Sequence, residues 1–102
     1  MLESPMIRFE WDEKNATEHE RKHGINFEDA KLAILDPNSI TEPDTRFDYT
    51  EERYRTLGMV ANSLLMLLVA HTIEENGDEV IRIISARKAE PHERRRYDNH
   101  NF

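Results

Sequence analysis

The chain contains no cysteine, which excludes a disulfide framework, a thiol nucleophile and a thiolate zinc site. Glycine is scarce: Gly24, Gly58 and Gly77 stand far apart. No glycine-rich loop can therefore cradle phosphates, and ATP or dinucleotide chemistry has no support. No serine-nucleophile motif is present either. Long apolar runs are missing too. The longest, Ser63–Ile73, is interrupted by His71 and Thr72 and falls short of the roughly 18 residues of a membrane span. The N-terminus has no basic stretch followed by an apolar one, so a cytoplasmic protein is expected. Positive charge is the last shortage, with 14 Lys/Arg against 21 Asp/Glu and a net charge of −7.

What is present fits one domain over residues 1–102 with a single modest core, preceded by a leader at 1–6 that is expected to be disordered. Ile7–Trp11 alternates apolar and polar residues, the period of a half-buried strand. Asp12 can cap a helix over Glu13–His23 that Gly24 closes. Asn26 can cap a second, with Phe27, Ala30, Lys31 and Ile34 on one face, stopped by Asp36-Pro37-Asn38. A short edge strand is expected around Ser39–Glu42. Three stronger ones follow: Arg53–Ala61, a turn at Asn62-Ser63, Leu64–Glu74, a hairpin at Asn76-Gly77, then Glu79–Ala86. Leu64–Val69 is apolar on both faces and reads as the central strand. A last helix begins near Glu90-Pro91. The fold class is α+β, an antiparallel β-meander with the helices packed on one face.

Cationic residues concentrate at the C-terminal end. From Arg82 to Tyr97 six Lys/Arg face two Glu, a local balance of +4, so the remaining residues carry −11. Clustered arginine implies a phosphate or carboxylate partner. On a regular strand Arg82 shares a face with Val80 and Ile84, and Arg87 with Ile83 and Ser85. The two are thus expected on opposite faces unless the strand bends. Arg87 suits either a phosphate clamp or a structural bridge to the last helix. Arg53 and Arg55 are in phase with Leu57 and Met59. An antiparallel pairing about Asn62-Ser63 sets position 53 near 72, which makes Arg53 and His71 expected neighbours. His71 follows the phase of Leu65, Leu67 and Val69. It is either a hydrogen-bonded core residue or a general acid or base.

His19-Glu20-Arg21-Lys22-His23 fits the H-E-x-x-H zinc pattern, in which two imidazoles one helical turn apart hold the metal and the glutamate activates water. The helix ends at once at Gly24 and no third ligand stands out. A structural origin is therefore favoured, no metal or cofactor is expected, and a zinc hydrolase on His19, Glu20 and His23 is the lesser alternative.

The chain resembles the BrnT ribonuclease toxins of type II toxin–antitoxin systems, which have a RelE-like fold. Phe9-Glu-Trp-Asp12, Lys22-His-Gly-Ile-Asn-Phe-Glu28, Asp29-Ala30 and Asp36-Pro37 carry the likeness in the first half. Glu52-Arg53, Leu57-Gly58, Arg82–Arg87 and Glu93–Tyr97 carry it in the second. The likeness spans about residues 7–98 and rests on the ordered set rather than on one motif. Two positions depart from the family's usual pattern: Asn15, where lysine is common, and His19, where asparagine is common. The second departure alone creates the zinc-like motif. The resemblance implies a metal-independent endoribonuclease that cleaves mRNA. It also implies a cognate antitoxin bound in a heterotetramer, and operator DNA contacted only through that antitoxin. The site residues expected on this basis are Arg53, Arg82 and Arg87 for charge stabilisation, His71 and Tyr97 for proton transfer, and Lys22, Arg94 and Arg95 for flanking phosphates. A catalytically degenerate antitoxin-binding module is the alternative that the acidic balance favours.

Overall fold

A computed structural model describes residues 6–46, 50–60 and 64–101. Residues 1–5 of the expected 1–6 leader and the Asn62-Ser63 turn lie outside them, whereas Met6 is described and its carbonyl accepts from the Glu79 N–H at 3.0 Å. The order is β1 (Ile7–Glu10), α1 (Glu13–His23), α2 (Phe27–Ile34), β2 (Ile40–Pro43), β3 (Tyr54–Met59), β4 (Met66–Asn76), β5 (Asp78–Lys88) and α3 (Pro91–Asn101). The strands form one sheet in the order β1-β5-β4-β3-β2. β2 to β5 make the expected antiparallel meander, and β1 joins β5 in parallel. Gly77, at φ +86°, sits at the tip of the β4–β5 hairpin between the paired Asn76 and Asp78.

The helix ends follow from local chemistry. Asp12 accepts from the Asn15 N–H at 3.1 Å, and Gly24 takes the left-handed conformation at φ +70°. Asn26 accepts from the Asp29 N–H at 2.8 Å to start α2. α1 buries no residue, and its work is at the sheet edge. β1 pairs with β5 only as far as Glu10↔Arg82, and among the described residues no strand continues along the next stretch of that edge. Side chains of α1 substitute: Asn15 Nδ2 donates to the Ile84 carbonyl at 3.0 Å, and the Ala86 N–H donates to His19 Nε2 at 3.1 Å. An open strand edge is thereby blunted.

α2 brings Phe27, Ala30 and Ala33 onto Leu67, Val69, Ile83 and Ala86, the larger core. It can lie this close only because residue 58 is glycine. A Cβ there would stand 2.0 Å from the Ala33 carbonyl oxygen. Leu57 and Met66, one residue out of phase with Gly58 and Leu67, point to the other face and form a second cluster with Tyr97 of α3. The helices thus do not share one face, contrary to the sequence-based expectation. A central strand that is apolar on both faces needs cover on both, and α3 supplies it on the second. Asp36 fastens this arrangement. Its Oδ2 accepts from the Met59 N–H at 2.8 Å and the Tyr97 hydroxyl at 2.6 Å, and its Oδ1 from the Asn38 N–H at 2.9 Å.

Candidate functional site

The face that α3 leaves uncovered is organised by one irregularity. β4 and β5 run in register through Ala70↔Ser85, and the next pair is His71↔Ile83. Ile84 is therefore an extra residue in β5, a β-bulge, and bulges re-aim side chains. Because β4 alternates without interruption, residues paired with Leu68, Ala70 and Thr72 share a face. Their partners are Arg87, Ser85 and Arg82. The bulge thus brings Arg82 and Arg87 to the same face, where regular alternation would have separated them. β3 adds Arg55, opposite Ala70. The β2–β3 ladder continues one step past β3, with the Asp44 N–H donating to the Arg53 carbonyl at 2.8 Å. The same alternation carries Arg53 toward Thr72 and Arg82.

Small side chains at Ala70 and Ser85 leave room between these arginines. The result is a cleft of about 270 Å³ lined by Arg46, Arg55, Arg87, Leu68, Ala70 and Ser85, with His19 and His23 of α1 and Ala86 at its β5 edge. Its size suits a nucleotide-sized fragment rather than a large cofactor. Each arginine in it is already faced by a carboxylate. Arg46 donates to buried Asp44 at 2.9 and 3.0 Å. Arg87 forms a two-pronged pair with Glu93 at 2.7 and 3.0 Å. Arg55 lies a looser 3.6 Å from Glu42, whose carboxylate is gripped by Arg96 at 2.6 and 3.0 Å. Among the described residues the buried Nε of Arg55 makes no hydrogen bond.

Glu93 has a second task. It is the third residue of α3 and accepts the Glu90 N–H at 2.8 Å, half of a capping box behind Pro91. Burial alone would raise its carboxyl pKa. The hydrogen bonds from Arg87 and Glu90 outweigh that and hold it below the usual range. Arg87 is accordingly both the structural bridge and the cleft-lining cation that its sequence position allowed, its side chain still 43% exposed.

Of the residues expected from sequence, Arg82 and Arg87 share this face by register, with Arg53 at its edge, and of the three Arg87 lines the cleft. His71 does not. It pairs with Tyr54, but it points to the α2 face and is only 1% exposed. Its Nε2 shares a 2.7 Å hydrogen bond with the Thr56 hydroxyl, and burial lowers its pKa. With Nδ1 directed at the Thr72 carbonyl at 3.2 Å, it is a satisfied neutral core histidine. Adjacent register does not mean a shared face, which is why Arg53 and His71 are not side by side. Tyr97 is likewise buried at 4% exposure. Burial first, then its hydrogen bond to Asp36, push its pKa up to about 12, so it holds its proton. Neither placement suits proton transfer. Lys22 is exposed in the last turn of α1 and Arg95 on α3. Arg94 donates to the Leu64 carbonyl at 3.3 Å, beside a separate hollow with Leu65, Met66, Lys88 and Ala89.

Sequence reasoning missed Arg55 as a site residue, although its shared phase with Arg53 was a usable signal. It also missed the placement of His19 and His23 at the cleft. The zinc-like motif singles out these residues on other grounds, whereas in the fold His19 Nε2 lies 2.6 Å from the Ala86 carbonyl oxygen and 3.1 Å from its backbone nitrogen.

A small α+β domain that arrays arginines across one sheet face offers the donor chemistry that anions take. Residues 11–93 match the family model described as the ribonuclease toxin, BrnT, of type II toxin–antitoxin systems. The chain belongs to this family and is the ribonuclease toxin component of such a pair, antagonised by a protein antitoxin. Its fold is similar to that in the 1.1 Å crystal structure of the Brucella abortus ribonuclease toxin, BrnT, with a TM-score of 0.57 and 22% identity over 83% of this chain and 97% of that one. No curated protein sequence matches the chain.

Proposed function

We propose that the arginine face is the RNA site of a metal-independent endoribonuclease that cuts mRNA in the cytoplasm. The observation that carries this reading is the Ile84 bulge, which turns Arg82 to the same sheet face on which Arg87 and Arg55 line a cleft floored by Ala70 and Ser85. Cleaving RNA requires the ribose 2′-OH to be oriented, charge on the phosphorane to be stabilised, and the leaving 5′-oxygen to gain a proton. Guanidinium groups serve the middle task, being permanently charged and two-pronged toward phosphate. Arg53, Arg55, Arg82 and Arg87 are assigned to it. The facing carboxylates hold the guanidiniums in orientation, and phosphate competes for their free edges. Lys22 and Arg95, exposed on α1 and α3, are assigned to flanking phosphates. Arg94 is a weaker choice because its guanidinium is turned to Leu64. The antitoxin would bind as a heterotetramer and alone contact operator DNA.

The test is induced expression in a bacterial host. Growth arrest with RNA fragmentation is expected, rescued by the cognate antitoxin and abolished by Arg55→Ala. Arrest that survives Arg55→Ala and Arg87→Ala together would remove the arginine face from the mechanism. The degenerate-module reading gains support from the carboxylate opposite each cleft arginine. It predicts a tight antitoxin complex with no arrest.

A further inference from the structure

We propose that His23 is the proton-transfer residue of the cleft and that His19 positions it, an inference that rests on the ribonuclease reading above. With His71 and Tyr97 buried in the core, the chemistry needs another group that can exchange a proton near neutral pH. Histidine is the side chain suited to that range. Among the described residues, the histidines that line the arginine cleft are His19 and His23.

The two are not equivalent. His19 is tied by Nε2 to the Ala86 backbone at the point where β5 has lost its strand neighbour. One nitrogen cannot accept from the N–H and donate to the carbonyl at once, but either state fixes the ring. His23 is exposed and carries no hydrogen bond among the described residues. Its ring lies against His19, centroids 4.7 Å apart and tilted by 48°. Gly24 ends the helix immediately afterwards, so His23 sits in the last turn with no further turn to cover it. The free imidazole is thus braced by a fixed one beside the cations that would hold the phosphate.

In the reaction, His23 takes the proton of the 2′-OH and the 2′-oxygen bonds to phosphorus as the P–O5′ bond breaks. The leaving oxygen takes a proton from water and His23 returns its own to solvent. The products are a 2′,3′-cyclic phosphate and a 5′-OH. The charged and titratable groups that line the cleft with His23 are His19 on its own helix, Arg46 beyond β2, Arg55 on β3 and Arg87 on β5, and Glu20 stands three residues before His23 on α1. Histidine is the residue type in this set whose ordinary chemistry exchanges a proton between pH 5 and 8, so a rate change in that range that His23→Gln abolishes reports His23.

The experiment uses the full chain, a short RNA and its 2′-O-methyl analogue, with Tm measured in parallel. His23→Gln is expected to lower cleavage by roughly 100-fold or more, as loss of an acid–base group does. Binding of the 2′-O-methyl RNA should stay within about threefold, Tm should be unchanged, and the acidic limb of the pH–rate profile should disappear. Added imidazole should partly restore His23→Ala. His19→Gln should lower kcat by about tenfold with KM unchanged and keep the acidic limb. Wild-type cleavage that His23→Gln matches, with its pH profile intact, overturns the assignment and leaves the ribonuclease reading standing. Wild-type protein that cuts no RNA overturns both.

Discussion

Tyr97→Phe separates a structural tyrosine from a catalytic one. The substitution removes one oxygen from a buried side chain and leaves its ring on Leu57 and Met66. Asp36 keeps its bonds from Met59 and Asn38 and loses only the 2.6 Å phenol bond. A buried hydrogen bond to an ionised carboxylate contributes about 1.5–3 kcal/mol. That puts the loss near 2–3 kcal/mol, or a Tm lower by roughly 8–12 °C for a domain of this size. The phenol pKa, pushed up from 10.0 to about 12 by burial first and then by Asp36, sets the pH range over which the effect changes. The pH dependence has a definite sign. A folded-state pKa raised above the unfolded one gives stability that is full below pH 10 and lost as pH rises toward 12. The advantage of wild type over Tyr97→Phe should therefore shrink across that interval in thermal melts followed by circular dichroism. RNA cleavage well below Tm should stay within about threefold of wild type. A 100-fold loss of cleavage at unchanged Tm would refute the reasoning and return Tyr97 to the chemistry.

Gly58→Ala should destabilise by about 3 kcal/mol or more, at the upper end for overpacking, because the obstructing atom is the Ala33 backbone oxygen. A Tm within 3 °C of wild type would show that α2 can retreat. Asp36 and Glu93 have depressed folded-state pKa values. For Asp36, burial works the other way and the bonds from Tyr97, Met59 and Asn38 prevail. Their stabilisation is full above the unfolded carboxyl values, 3.8 and 4.5, and is lost as pH falls through the folded ones. Glu93→Gln should accordingly lower stability at pH 7 and flatten its decline below pH 4.5 in urea titrations; an unchanged acid profile contradicts the Arg87–Glu93 account. Arg82→Ala should leave Tm within 2 °C, since the side chain is exposed, and reduce the slope of log K for RNA against log salt by about 0.7–0.9. An unchanged slope would place the RNA elsewhere.

Features set by neighbours in the chain were legible in advance. The Asp12 and Asn26 caps, the Gly24 stop, the Gly77 hairpin and the face of His71 depend on a few adjacent residues, and all are found as the sequence implies. Features that depend on a partner strand were not. The Ile84 bulge is invisible in β5 itself, because an extra residue exists only relative to the uninterrupted β4. Without it, strand phase sends Arg82 and Arg87 apart. The side taken by α3 was hidden for a similar reason: Tyr97 finds its face through Asp36, sixty-one positions away, and Asp36-Pro37 read only as a helix stop. His23 illustrates the remaining gap. A motif search notices it through spacing to His19, whereas its location follows from β1 ending early and α1 covering the exposed edge.

The most direct measurement is the rate of cleavage of a short RNA by the purified chain in excess EDTA, with Arg55→Ala and Arg87→Ala each assayed equally far below its own Tm. The arginine-face account predicts cleavage by wild type without metal and at least a 100-fold loss in each variant, corresponding to about 2.7 kcal/mol of transition-state stabilisation. Cleavage that requires a divalent metal, or that either variant retains in full, would contradict it.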